Sequence, residues 1–571
     1  MRVEMLPALQ GDYHLDDYDA VKRAFAWEDL YKEFRWHETG KVNIAYEAVD
    51  KHAESSDKKD QVALHFTDAN HRVSYTFADM KRRSNQVANV LRKIGIEKGD
   101  RVFTFMPRSP ELYEALFGIL KTGAVAGPLF EAFAEDAVRE RLLDSRAKAI
   151  FTTKQLFSRI PLHDLPDLKH VIIVGDDVAE EGPILDYFKR VNAASEDFAI
   201  EWVDREDGMI LQYASESAGG PKGIYHVHDA MAQLYATAKW VLDLKEDDVY
   251  WCTADPGWMT GTSYGVLAPL LAGTTTVIFG GRFNPSKWYE TIEHYNVTVW
   301  YSAPTAFRML MGAGDDLVEQ YQLESLRHIL TVGEPLSPDL IRWGMKVFNQ
   351  RIHDTWWMTE TGAIMISNFP SMNIKPGSMG KPIPGIAAAI VNDSGEELPP
   401  NHMGNIAIKR GWPAMMRKIW NDYGEAKYFT YFTQNDWFLT GNSGYMDEDG
   451  YFWFQGRADD VIMTSGERVG PFEVENKLLE HPAIAEAGVI GKPDPVRGEV
   501  IKAFVSLKKG YHGSPELEEE IKRFVQKSLS VHAAPREIEF RDKLPKTKSG
   551  KIIRRVLKAW ELNMPTGDKE N

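Results

Sequence analysis

Over most of the chain, short apolar runs alternate with longer stretches whose apolar positions recur at helical spacing. Arg101 to Met106 is such a run and predicts a buried strand. Ser109-Pro110 follows as an N-cap and first-turn proline for a helix through Leu120. Val171 to Gly175, Met209 to Tyr213, Val249 to Thr253, Thr274 to Phe279 and Val297 to Tyr301 predict further strands. Helices are expected between several of them, as at Lys287 to His294 and Pro338 to Phe348. Such alternation predicts an α/β fold with layered, largely parallel sheets. Near Asn405 the pattern changes to aromatics and turns, so residues 405–460 predict a small β-rich lobe. A compact α+β segment follows, with strands near Ala487 to Ile490 and Ile501 to Leu507 and an amphipathic helix from Pro515 to Leu529. These shifts divide the chain into residues 1–458, a large N-terminal domain, and residues 459–571, a small mobile C-terminal domain, with the boundary at Asp459.

Composition narrows the classes of function. A length of 571 residues exceeds one ordinary core and calls for at least two domains. With 67 basic and 83 acidic side chains, the net charge of −16 argues against a nucleic-acid partner or an anionic-membrane surface. Cys252 is the single cysteine, which excludes an internal disulfide and fits a reducing compartment. The most apolar region, Leu112 to Phe130, is interrupted by Glu114 and Lys121, so no membrane span is expected. The first residues, Met1-Arg2-Val3-Glu4, lack the apolar core of a signal peptide, and a cytoplasmic location is expected.

Four motifs carry candidate chemistry. Residues 213–223 read Tyr-Ala-Ser-Glu-Ser-Ala-Gly-Gly-Pro-Lys-Gly. The glycines let backbone N–H groups approach phosphate oxygens, and Lys222 adds a cation. Alone, this segment is better described as a surface turn. Asp354-Thr355-Trp356-Trp357-Met358-Thr359-Glu360-Thr361-Gly362 sets two indoles beside a hydroxyl and a carboxylate. An indole can stack on a base, and a carboxylate near phosphates can hold Mg²⁺. The third motif is Thr440-Gly441-Asn442-Ser443-Gly444, followed by Gly456-Arg457-Ala458-Asp459. The fourth is the basic run from Pro545 to Arg555, which contains Lys551.

In this order the motifs resemble the acyl-adenylate-forming superfamily of AMP-forming acyl-CoA synthetases, luciferases and peptide-synthetase adenylation domains. Within it the chain is most similar to acetyl-CoA synthetases of the shorter bacterial type. That likeness rests on Trp251 to Trp258, Ser302 to Ala306, Val332-Gly333-Glu334-Pro335 and Gly466 to Glu473, and it spans residues 10 to 563. The resemblance implies that acetate attacks the α-phosphate of ATP, and that CoA thiol then displaces AMP after the C-terminal domain swings about Asp459. ATP, CoA and Mg²⁺ are the implied cofactors. It places Ser215, Ser217, Gly219 and Lys222 in the phosphate loop, and Gly333, Glu334 and Pro335 beside the adenine against Trp356. Asp354 and Thr355 belong to the same nucleotide site. Thr359 and Glu360 meet the phosphates, Glu360 as the metal ligand. Asn442 and Arg457 lie by the ribose, Arg468 by the phosphate and Gly466 by the CoA pantetheine. Lys551 inserts during adenylation, and its reversible acylation by a protein acetyltransferase and deacetylase switches such enzymes off. Met259, Thr260, Val332 and Trp357 form the acyl pocket. Most of the superfamily has glycine at the place of Trp357, so an indole there restricts the substrate to acetate, with propionate second.

The sequence departs from the family pattern at the ATP site. The phosphate loop normally reads Thr-Ser-Gly-Ser/Thr-Thr-Gly, whereas Ala214, Glu216 and Ala218 remove two hydroxyls and a glycine. Asn442 replaces an aspartate that accepts from both ribose hydroxyls. Two alternatives to the acetate ligase follow: a homologue impaired in adenylation that still binds nucleotide or CoA, and another short-chain synthetase such as a propionyl-CoA synthetase.

Overall fold

A computed structural model of the protein describes residues 4–214, 222–422, 425–457, 460–464, 467–494, 498–528, 533–546 and 552–562. Among them the named strands form four sheets. The first runs, edge to edge, through Lys381–Pro382, Ile366–Ser367, Ile352–Trp356, His328–Val332, Val299–Ser302, Val249–Cys252, Thr275–Phe279, Val62–Thr67 and Arg72–Thr76. Its interior pairs are parallel, and antiparallel strands close both edges. The second runs through Lys418–Ile419, Lys222–Val227, Gly208–Ala214, Val125–Leu129, Arg101–Phe105, Ala149–Thr153, His170–Val174 and Ile184–Asp186. It is parallel from Gly208–Ala214 onward and antiparallel at the Lys222–Val227 edge. Central strands such as Thr275–Phe279 and His328–Val332 are buried at every position, as expected of parallel sheets covered on both faces. Helices Pro110–Lys121 and Ala230–Trp240 are buried along most of their length.

The strands expected from the apolar runs are present, with ends shifted by a residue or two before residue 405, while those expected near Ala487 to Ile490 and Ile501 to Leu507 are longer, Ile484–Asp494 and Gly498–Leu507. Two expectations need correction. Ser109 occupies the N-cap before Pro110 in extended geometry, yet its side chain makes no cap hydrogen bond; the helix start is set by the proline alone. The β-rich lobe begins before Asn405, with the strand Ala388–Val391, and continues through Gly404–Lys409, Trp437–Met446 and Phe452–Arg457. Ala388–Val391 is a short apolar run and carries none of the aromatic signal that marks the rest of the lobe. Within 405–460 the chain also lends Lys418–Ile419 to the second sheet, beside Lys222–Val227.

The last sheet joins Glu467–Val469, Ile462–Thr464, Gly498–Leu507, Ile484–Asp494 and Glu537–Phe540. Helices Pro471–Leu479, Pro515–Ser528 and Arg554–Glu561 accompany it. Glu475 is buried there and accepts hydrogen bonds from the Val489 N–H (2.8 Å) and the Arg554 Nε (3.0 Å). Asp460 stands 3.6 Å from Arg554 and 3.5 Å from Lys558. Among the described residues, no helix is long and apolar enough to cross a membrane.

Candidate functional site

In open α/β sheets, ligands gather beyond the carboxyl ends of parallel strands. Four strands deliver the candidate residues in that way, three from the first sheet and one from the second. His328–Val332 leads into Gly333-Glu334-Pro335, Ile352–Trp356 into Trp357, and Val249–Cys252 into the turn carrying Met259 and Thr260. Gly208–Ala214 runs into the phosphate-loop motif.

At the acyl end, Trp357 is buried, at 8% exposure. Its ring meets the edge of Tyr264 at 5.1 Å, and its Nε1–H donates to the Tyr301 hydroxyl at 3.3 Å. Tyr301 in turn pairs with Thr355 Oγ1 at 2.7 Å, and Thr355 donates to the Thr331 carbonyl at 2.7 Å. Every hydroxyl in this relay has a partner, so the indole is fixed in orientation as well as in depth. Tyr264 is brought to the Trp357 ring by a π-helical segment, Gly261–Leu267, that directly follows Met259 and Thr260. Its hydroxyl accepts from the Ile364 N–H at 2.8 Å. The first residue of that segment must be glycine, since a Cβ on Gly261 would stand 2.0 Å from the Asp255 carbonyl oxygen. Met259 and Val332 are buried in the same continuous apolar core as Trp357, and Val332 lies opposite Thr355 across the strand pair.

At the phosphate end, Ala214 pairs with Lys222 at the ends of two antiparallel strands. The Lys222 ammonium lies 3.0 Å from the Glu360 carboxylate and also donates to the Tyr431 hydroxyl. Burial disfavours the lysine charge, but Glu360 and Tyr431 outweigh it and raise the pKa above the ordinary lysine value. Glu360 is itself buried, in the short turn Thr359–Thr361. His226, four residues after Lys222 and on the same strand face, holds this turn in place. Its Nε2 lies 2.8 Å from the Thr359 carbonyl and its Nδ1 3.2 Å from the Ala414 carbonyl. Burial pushes the His226 pKa down to about 4, so the ring is neutral, carries a single N–H and donates to one of these two carbonyls while lying between both segments. Gly362 closes the turn at φ +76°, where a Cβ would meet the Ala414 oxygen at 2.1 Å.

The two ends meet along Ile352–Trp356. Asp354 is buried and accepts from Thr331 Oγ1 at 3.2 Å. Burial raises its pKa to about 8, the Thr331 hydroxyl offsetting only part of the shift. Trp356 is half-buried, while Trp357 enters the core; the two indoles have different roles. Gly333 has φ +85°, and Glu334 accepts from Thr305 Oγ1 at 2.7 and 2.8 Å and from Arg308. Pro335 is partly buried beside them.

Asn442 and Arg457 pair across the lobe sheet, a different sheet from that of Lys222. Asn442 Nδ2 donates to the Thr440 carbonyl at 2.8 Å. Arg468 lies opposite Met463 in the last sheet. Ser215, Glu216, Ser217, Ala218, Gly219, Asp459, Gly466 and Lys551 lie outside the described residues. Sequence reasoning missed His226, Tyr264, Tyr301 and Tyr431. His226 was within reach, since strand alternation aligns it with Lys222; Tyr431 is distant in sequence and carries no local signal.

Comparison with known proteins agrees with this fold. The profile of the AMP-binding enzyme family matches residues 50–420, and that of the AMP-binding enzyme C-terminal domain matches residues 473–551. The chain is 62% identical over 569 residues to the acetyl-coenzyme A synthetase of Bacillus subtilis, covering 100% of this chain and 99% of that relative. It is 38% identical to the acetyl-coenzyme A synthetase of Methanothrix thermoacetophila, over 97% of this chain and 90% of that one. Among solved structures, an anthranilate CoA ligase in complex with anthranoyl-AMP superposes with a TM-score of 0.82 at 30% identity, covering 92% of this chain and 98% of its own. A Brucella canis acyl-CoA synthetase gives 0.76 at 34% identity, covering 96% and 99%.

Proposed function

The chain belongs to the AMP-binding enzyme family, and we propose that it is an acetate–CoA ligase that forms acetyl-CoA, AMP and pyrophosphate. The observation that carries this reading is Trp357, an indole fixed by Tyr264 and by the Tyr301–Thr355 relay, which we place across the acyl channel. The 62% identity to an acetyl-coenzyme A synthetase supports it over the full length. A pocket closed by a fixed ring accepts two carbons and rejects longer chains by steric clash, which exceeds the ~0.8 kcal/mol that each buried methylene contributes.

In the first step an acetate oxygen attacks the α-phosphorus of ATP, and the bond to pyrophosphate breaks. Lys222 and the motif residues Ser215, Ser217 and Gly219 hold phosphate oxygens. Trp356 and Gly333-Glu334-Pro335 bracket the adenine, with Asp354 and Thr355 on the strand beneath. Thr359 and Glu360 would hold Mg²⁺, which neutralises phosphate charge. One buried carboxylate suits a cation that arrives on phosphates and keeps its waters; among the described residues no cluster of three His, Cys, Asp or Glu side chains offers a cage instead. Lys551 enters at the reacting centre to stabilise charge shared by carboxylate and α-phosphate. In the second step the CoA sulfur attacks the acetyl carbonyl, AMP departs, and the thiol proton is released. For this step residues 459–571 turn about Asp459 relative to residues 1–458, bringing Gly466 to the pantetheine. Arg457 stays with the ribose and Arg468 with the phosphate. Acetylation of Lys551 by a protein acetyltransferase, reversed by a deacetylase, removes the charge and stops the first step. This chemistry is assigned to the cytoplasm.

Acetate-dependent ATP–pyrophosphate exchange tests the reading. The native chain is expected to exchange. A revertant carrying Ala214→Thr, Glu216→Gly, Ala218→Thr and Asn442→Asp exchanges faster, by roughly tenfold or more, because hydrogen bonds to a charged phosphate contribute about 1.5–3 kcal/mol each. Exchange by the revertant alone would sink the proposal for the native chain and favour the impaired homologue.

A further inference from the structure

Lys222 and Glu360 are expected to serve phosphate and metal, yet the structure pairs them with each other at 3.0 Å. Glu360 cannot keep the full ion pair once a divalent cation takes its carboxylate. The ammonium then needs a holder that does not compete for the cation. Tyr431 is such a group. Its hydroxyl accepts from Lys222, and its ring centroid lies 5.0 Å from the ammonium. The ring is fixed from behind, stacking on the fully buried Phe438 at 5.4 Å with an interplanar angle of 4°, and the Tyr431 backbone carbonyl accepts from the Leu439 N–H at 2.7 Å. The ring therefore carries the packing on Phe438, and the hydroxyl adds an oxygen contact to the lysine.

We propose that Tyr431 is a positioning residue for the β,γ-phosphate end of ATP, its hydroxyl keeping the Lys222 ammonium in place when nucleotide and metal draw Glu360 away. This rests on the ATP-dependent ligase reading above. It goes beyond that reading by adding a residue from the lobe connection to the phosphate site. A lysine alone carries four rotatable bonds, and a neutral oxygen on a rigid ring lowers the cost of ordering them. Tyr431 acts through Lys222, so its effect falls on nucleotides with a polyphosphate tail and not on AMP.

The test is an equilibrium titration of MgATP and of AMP against the native protein and Tyr431→Phe, with ATP–pyrophosphate exchange on the same preparations. Phe keeps the stack on Phe438 and removes only the oxygen. The Kd for MgATP is expected to rise roughly tenfold or more, as for loss of a hydrogen bond to a charged group, while the Kd for AMP stays within twofold. In exchange, the KM for ATP rises more than kcat falls. An unchanged MgATP Kd, or equal weakening of MgATP and AMP, overturns the assignment, the latter because it marks a merely structural role. If the native protein binds MgATP in a Tyr431-dependent way but does not exchange, the ligase reading fails and the positioning role stands. If the native protein binds no MgATP, both fail.

Discussion

The end of the candidate site expected to take the acyl group and the end expected to take phosphate use opposite physics, although Trp357 and Glu360 both follow the strand Ile352–Trp356. The acyl end is apolar and neutral: Trp357 lies in the main core, held by Tyr264 and a relay of satisfied hydroxyls. The phosphate end is charged: Lys222 and Glu360 neutralise one another, and a neutral histidine fastens the turn beneath them. On the proposed reading, specificity for the acid is part of the core and is inseparable from stability. On the same reading, nucleotide binding depends on charges whose partners the substrate must replace, so substitutions there are expected to change affinity before they change the fold.

The largest effect is expected from the charged end. Lys222→Met removes a preorganised cation from the developing phosphate charge and should lower acetate-dependent exchange by about 10²–10³-fold. It also leaves the buried Glu360 without this partner, so thermal stability falls. Relative rates with acetate and propionate stay as in the native chain, measured side by side. A variant within tenfold of native exchange would break the assignment of Lys222 to phosphate. Trp357→Gly makes the complementary change. The ratio of kcat/KM for propionate over acetate should rise about 10–200-fold, the range for one methylene in an apolar pocket. Unfolding free energy drops by about 3–5 kcal/mol, as for truncation of a buried aromatic, while the KM for ATP moves little. Retained preference for acetate would show that Trp357 does not close the channel.

Asp354 sits where the two ends meet and supplies a pH test. Its carboxyl has a pKa of about 8 in the fold against 3.8 ordinarily. Between those values the native state holds a proton that the unfolded chain has lost. Stability is thus greatest at the acid side of this window and declines as pH rises toward 8, by up to ~1.4 kcal/mol per pH unit from this group. Asp354→Asn, which cannot ionise, should flatten that decline in denaturant titrations from pH 5 to 8. An unchanged slope would mean that the carboxyl is not held protonated.

The same contrast explains what was legible in the sequence. Apolar strands announce themselves by composition, so Val249–Cys252, Val299–Ser302 and their neighbours were foreseen to within a residue or two, and Trp357 stood out where a wide channel calls for glycine. The phosphate end was legible only as motifs. Lys222 and Glu360 were named, but their pairing joins residues 138 positions apart and that with Tyr431 spans 209. No periodicity encodes such distances. Tyr264 was hidden for another reason: its position depends on a π-helical segment, whose extra residue per turn breaks the helical spacing on which sequence reasoning relies. The lobe's early start at Ala388 was missed because a four-residue apolar strand looks the same in either sheet.

The smallest effect concerns Asn442, and it separates ribose from phosphate. Its Nδ2 is bound to the Thr440 carbonyl at 2.8 Å, so the amide serves its own strand and offers a single oxygen acceptor to a ligand. Asn442→Asp supplies two acceptors but places an anion near that carbonyl, and the carboxylate must turn away from Thr440. The net gain is therefore less than that of a free charged hydrogen bond, and AMP and ATP should each bind about three- to tenfold tighter. The gain must be equal for the two nucleotides, in contrast to Tyr431→Phe, whose effect is confined to ATP. It must also vanish with a 2′,3′-dideoxy analogue, which lacks both hydroxyls. An increase that persists with the dideoxy nucleotide would place Asn442 away from the ribose and move the lobe strand out of the nucleotide site.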